Sequence, residues 1–190
     1  MRDAEIADAV DQVVGRLEDI ERSLPPQDGI ACFNQMYLTV TQLVRSHLVD
    51  HFFADPTRMQ RLDATFAGLY LAAVDAEATG GPVPPAWAPL FARRHDHRVI
   101  PIQFAIAGMN AHINHDLPMA VEAVCAATDT DPQASSFHRD YLRVNELLAA
   151  VDGQVRESFL TGAVLMVDQQ ASPVLDLIDS WSIDRARDAA

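Results

Sequence analysis

Apolar residues recur at three- and four-residue spacing along almost the whole chain, and strand-like alternation is scarce. That pattern predicts an all-α fold. In the first segment Ile6, Val10, Val13, Val14, Leu17, Ile20 and Leu24 form one stripe, with Asp8, Asp11, Arg16 and Glu21 off it. Pro25-Pro26 ends this helix, because proline has no N–H and restricts the residue before it. Asp28 is a candidate cap for a second helix running to about Phe53, with Met36, Val40, Leu43, Val44 and Leu48 inward.

Asp55-Pro56 reads as an N-cap followed by proline at the first helical position. The third helix reaches about Ala78 and turns Met59, Leu62, Phe66, Leu69, Tyr70 and Ala73 inward. Gly80-Gly81-Pro82-Val83-Pro84-Pro85 is the one strong breaker, and it is read as a loop, since both sides are alike in composition. Helices are expected over Ala86 to about Arg94 and from Pro101 to His115 or Asp116, where Leu117-Pro118 interrupts. A helix resumes from Met119 to Ala127, and others follow over Phe137 to Leu148, Gln154 to Gln169 and Val174 to Arg187. The expectation is a single domain over 1–190, an irregular orthogonal bundle of about seven to nine helices. The amphipathic first helix could also dock on a second subunit.

Composition narrows the partners. Lys plus Arg number 14 against 27 Asp plus Glu, a formal charge of -13. Such a chain has few cations to exchange for counterions on a phosphate backbone, so nucleic acid and anionic membranes are not expected partners. No run of about 18 uncharged apolar residues is present to span a bilayer. The N-terminus lacks a basic start followed by an apolar run, so a cytosolic protein of a bacterial cell is expected. Cys32 and Cys125 lie far apart in apolar surroundings, which predicts buried free thiols.

The chemistry-bearing residues are histidines and carboxylates at helical spacing. Positions four apart lie about 40° apart around a helix. His112 and Asp116 are so placed, on the stripe of Ala105, Gly108 and Met109. The second helix offers His47 and His51 four apart, with Asp55 a turn further if the helix continues. Buried imidazoles and carboxylates need partners, and one zinc or iron ion held by His51, Asp55, His112 and Asp116 is one arrangement that supplies them. Mutual hydrogen bonding within each pair is the other, with the carboxylate fixing the imidazole tautomer and raising its pKa. Gly108, in mid-helix, is read as the point of a tight helix crossing. Asn110 and Asn114 share the face opposite His112, and Tyr37, Thr41 and Tyr70 lie by the inward stripes, where they could line a ligand pocket. His95 and His97 fall in the charge-rich stretch Arg93 to Arg98, read as a solvated loop.

Asn110-Ala111-His112-Ile113-Asn114 followed by Asp116-Leu117-Pro118 resembles the signature of a bacterial family of helical proteins known only as a domain of unknown function. Phe33-Asn34 with Tyr37 and Thr41, Phe53 with Asp55-Pro56, Phe66 with Tyr70, and Trp181 with Arg185 fit the same pattern. The resemblance covers most of the chain and implies no activity. His112-x3-Asp116 with Pro118-Met119 is also similar, more distantly, to the zinc-binding helix of the phospholipase C and single-strand nuclease superfamily. The further histidines and the N-terminal tryptophan of that pattern are missing, which implies one metal or none.

Two readings stand on these residues. The first is a hydrolase or lyase acting on a small molecule, with His112 and Asp116 as acid/base pair or metal ligands and Asn110 or Asn114 steadying negative charge. The second is a non-catalytic binding or interaction module in which the same polar residues serve recognition and structure.

Overall fold

The computed structural model describes residues 2–48, 52–133 and 136–147, with side chains from residue 9 onward. Among these residues there are six α-helices and no strand: α1 (Arg2–Ser23), α2 (Gly29–Leu48), α3 (Pro56–Thr79), α4 (Ala88–Arg93), α5 (Pro101–Ala111) and α6 (Leu117–Thr128). A π-helical turn, His112–Asp116, joins α5 to α6, and residues 136–147 are helical too. Among the described residues the fold is all-α, as expected. The helices expected over 154–169 and 174–187, and with them Trp181 and Arg185, lie outside the described residues.

Local chemistry sets the boundaries. α1 stops before Pro25-Pro26. Asp28 accepts the Ile30 N–H at 2.9 Å and so opens α2. Arg94 Nε and Nη2 grip the same carboxylate at 2.9 and 2.8 Å, and Gly29 N–H donates to Arg94 O at 2.8 Å, so the start of α2 is tied to the end of α4. Asp55 caps α3 by accepting the Arg58 N–H at 3.0 Å, with Pro56 behind it. Gly80 closes α3 at φ 69°, the left-handed conformation that a side chain disfavours.

Two expectations need correction. α2 was expected to reach Phe53, but Phe52 to Asp55 is not helical. Asp140, 1% exposed, accepts the Ala54 and Asp55 N–H groups at 2.9 and 2.8 Å and pins this loop to the 136–147 helix. Leu117-Pro118 was expected to interrupt a helix, yet the helical path runs through it. The π-turn absorbs the proline: Leu117 N–H reaches back five residues to His112 O, and the wider turn accommodates a residue with no N–H to give.

The apolar faces meet in two clusters. The larger gathers Leu17 and Val13 of α1, Phe33 and Tyr37 of α2, Tyr70 of α3, Trp87, and Phe104 and Met109 of α5. The smaller joins the end of α2, the start of α3, α6 and the 136–147 helix around Leu48, Met59, Val124 and Phe137. Cys32 and Cys125 are buried free thiols, as expected, and burial pushes Cys32 up to about 11. No described helix is long and apolar enough to cross a membrane.

Gly108 is where α5 meets α2 most closely. A Cβ there would overlap Cγ and Cδ2 of Phe33 and lie 2.8 Å from its Cβ. Phe33 is 1% exposed and hemmed by Tyr37, Tyr70 and Trp87, so it has nowhere to go. Gly108→Ala is therefore expected to lower stability: overpacking costs about 1–3 kcal/mol against about 1 kcal/mol of helix propensity gained. The urea midpoint should fall, and a rise would contradict this crossing.

Candidate functional site

The π-turn puts three polar side chains on one carboxylate. Asp116, 1% exposed, receives His112 Nδ1 at 2.9 Å and Trp87 Nε1 at 3.0 Å on Oδ2, and His115 Nδ1 at 2.7 Å on Oδ1. His112 is 3% exposed, whereas the side chain of His115 is 37% exposed and looks outward. Trp87 comes from just before α4, so this carboxylate also locks the long loop after α3 onto the helix. An indole N–H can only donate, so its partner has to be an acceptor in place.

The His112 ring is enclosed by aromatic side chains from several elements. Phe66 of α3 stacks on it with centroids 3.6 Å apart and planes within 6°. Tyr37 of α2 meets it edge-on at 4.5 Å, and Phe33 does so at 5.7 Å. Such surroundings disfavour the imidazolium, and burial lowers the pKa of His112 despite the opposing pull of Asp116. The neutral ring donates a hydrogen bond from Nδ1–H to Asp116 and leaves Nε2 as a bare acceptor. Nε2 is buried with no hydrogen-bond partner in the protein.

Two further buried polar atoms nearby are unpartnered: Tyr37 Oη and Asp63 Oδ2. Burial raises the Tyr37 pKa well above the phenol range, so the hydroxyl keeps its proton; Asp63 adds to the effect, the Thr41 hydroxyl opposes it, and Asp116 adds less. Burial likewise pushes Asp63 up to about 7. Ionisable groups displaced in this way concentrate at functional sites.

Of the residues singled out from the sequence, His112, Asp116 and Tyr37 come together. Thr41 is buried but donates to its own helix, to Tyr37 O at 2.8 Å. Tyr70 is buried and donates to Asn34 Oδ1 at 3.4 Å. Asn34 in turn ties α2 to α1 through Leu17 O at 2.9 Å. Asn110 and Asn114 are exposed and bond each other at 3.0 Å, on the side away from His112. His47 contacts Leu43 O at 3.0 Å and stands edge-on to Phe52, and Asp55 pairs with Arg58. His51 lies outside the described residues.

The arrangement expected for a metal, with His51 and Asp55 facing His112 and Asp116, is therefore not assembled from the described residues. Asp55 belongs to the cap of α3, and both Asp116 oxygens already face N–H groups. Among the described residues no group of three or more His, Cys, Asp or Glu converges to hold a metal ion. The charge-rich stretch is largely solvated, as expected, with Arg93, His95, His97 and Arg98 exposed. His95 is exposed, but Arg94 turns inward to Asp28, and Arg98 closes on Asp96, whose carboxyl it holds well below the usual range.

Trp87, Phe66 and Asp63 were not singled out as site residues. For Asp63 a signal exists: it lies four residues after Met59 and three before Phe66, a carboxylate on an apolar stripe. A cavity of about 770 Å³ lies elsewhere, between α6 and the 136–147 helix, lined by Val121, Cys125, Asp129, Phe137 and Tyr141 among others, and His112 is not on its wall.

A family model described as a family of unknown function (DUF5995) matches residues 10–190. No curated protein matches the chain, and no solved structure does.

Proposed function

Since the chain belongs to the DUF5995 family and that family brings no activity with it, we propose from the site alone that the protein is an enzyme of the hydrolase or lyase type. Its substrate is a small organic molecule, and His112 Nε2 is its general base. The observation that carries this reading is the bare, buried Nε2 of a ring whose other nitrogen is committed to Asp116. A carboxylate that accepts from Nδ1–H fixes the tautomer and steadies the imidazolium formed when Nε2 takes a proton. In a hydrolase that proton comes from water, and in a lyase from the substrate. A π-helical turn supplying both residues is in keeping, since such turns recur at functional sites.

One observation favours a non-catalytic role. Asp116 is saturated by three N–H donors and ties separate parts of the fold, as a structural hub does.

Nitrogen NMR of the His112 ring tests the base, and turnover of a variant separates the two readings. The expected state at neutral pH is Nδ1–H with Nε2 unprotonated. A ring protonated on Nε2 would sink the general-base reading. His112→Gln should slow turnover by about 10²–10⁴-fold on any substrate identified, with the fold retained. Undiminished turnover would also overturn it.

A further inference from the structure

We infer that the molecule acted on at His112 is held at its other side by Asp63 and Tyr37, and so carries a proton donor for the imidazole and, beside it, a hydroxyl or carbonyl oxygen for the phenol and the carboxyl. The inference rests on the reading of His112 above and narrows it to a ligand class and a second proton-carrying group.

Geometry carries it. Tyr37 Oη, Asp63 Oδ2 and His112 Nε2 are all buried, and none has a hydrogen-bond partner in the protein. They come from α2, α3 and the π-turn, which meet around one ring. Phe66 lies 3.6 Å from His112 and 6.2 Å from Tyr37, centroid to centroid, and one helical turn along α3 from Asp63. Tyr37 closes the group at 4.5 Å from His112. The Asp63 carboxylate acts on the Tyr37 hydroxyl more strongly than Asp116 does.

Native interiors pair nearly all their buried polar atoms, so several exceptions in one neighbourhood call for a partner from outside. Their chemistry is complementary: the imidazole nitrogen accepts, while the phenol and the carboxyl each donate or accept. A hydrocarbon would leave all of them unmatched. A small hydroxylated carbonyl compound matches each.

The pairing also completes a proton exchange. Asp63, raised to about 7, holds its proton at neutral pH in a sizeable fraction of molecules, while His112 is neutral. Two groups whose surroundings push their pKa values toward opposite protonation states are the pattern of an acid and a base. His112 Nε2 takes a proton from a ligand C–H, and that bond's electron pair becomes a carbon–carbon double bond as the neighbouring C–O bond breaks. Asp63 gives its proton to the departing hydroxyl, which leaves as water, the lyase outcome of the reading above. His112 then releases one proton and the part-exposed Asp63 regains one from solvent.

The test is side-chain NMR of the full chain titrated with dihydroxyacetone, which places hydroxyls and a carbonyl on three carbons. The Tyr37, Asp63 and His112 signals are expected to move together on one isotherm. Asp63→Asn and Tyr37→Phe should each weaken binding about tenfold, the loss of one hydrogen bond involving an ionisable group. Thermal unfolding checks that both variants are folded. No movement at millimolar probe, movement only elsewhere, or an isotherm that both variants leave unchanged would overturn the inference. A His112 ring protonated on Nε2 sinks the earlier reading without touching the dependence of binding on Asp63, so the two can fail separately.

Discussion

Replacing Asp116 with alanine is expected to cost the fold about 2–6 kcal/mol, the penalty for leaving two buried N–H groups without an acceptor. The carboxylate oxygens face His112 Nδ1, Trp87 Nε1 and His115 Nδ1. With the carboxylate gone, His115 can turn to solvent, because its side chain is 37% exposed. His112 and Trp87 cannot, being 3% and 0% exposed. Each keeps an N–H in the core with no acceptor, at about 1–3 kcal/mol apiece. Asp116→Asn keeps one acceptor oxygen but turns an amide N–H₂ toward another donor, so it should fall between wild type and alanine. Denaturant unfolding monitored by tryptophan fluorescence reads both, because Trp87 reports on the bond being broken. An alanine variant with an unchanged midpoint would show that the carboxylate is not the hub described.

Asp63→Asn is expected to stabilise the protein at neutral and alkaline pH and to change it little in acid. The folded Asp63 carboxyl titrates at about 7 against an ordinary 3.8. Its folded pKa is the higher one, so the native state binds the proton more tightly than the unfolded chain does. Stability from this group is complete below about pH 4 and is lost as pH rises through about 7. A carboxyl moved from 3.8 to about 7 sets an upper bound of about 4 kcal/mol at the top of that window, reduced by the solvent that reaches this part-exposed residue. Asparagine has the same shape and no charge to desolvate. The stability difference between the variant and wild type should therefore grow from pH 4 to pH 7 and then level off. His112 works in the opposite sense, since its lowered pKa makes acid destabilising below its ordinary range near 6.5. That contribution is common to both proteins and cancels in the difference. A difference that stays flat with pH would mean that Asp63 meets water.

Much of the scaffold was legible because it is local. Pro25-Pro26, Asp28 and Asp55-Pro56 act within a few residues of themselves, and the structure places helix boundaries at each. His112 and Asp116 were legible for the same reason, being four apart on an apolar stripe, and they do bond each other. Gly108 carried a signal of close approach, and Phe33 is what approaches. Extrapolation failed where local spacing was carried past a helix end. His47 and Asp55 lie on one face only if α2 continues, and it gives way to a loop held by Asp140, 85 residues on from Asp55. Asn110 and Asn114 lie on the face opposite His112, as their spacing implies, and that face points outward, away from any charge they were expected to steady.

By itself, then, the sequence determined the helical class, the caps and the face on which His112 and Asp116 lie, since backbone geometry and short-range hydrogen bonding settle these without reference to distant residues. Only the tertiary structure decided what those residues meet. Trp87, 29 residues before Asp116, supplies its indole donor. Phe66 and Tyr37 close over the imidazole, and Asp63 joins the same neighbourhood. The reason is that periodicity shows which side of a helix is apolar, while the partner of that side is chosen by how all the helices pack at once. The solvation and protonation of each buried group follow from that choice.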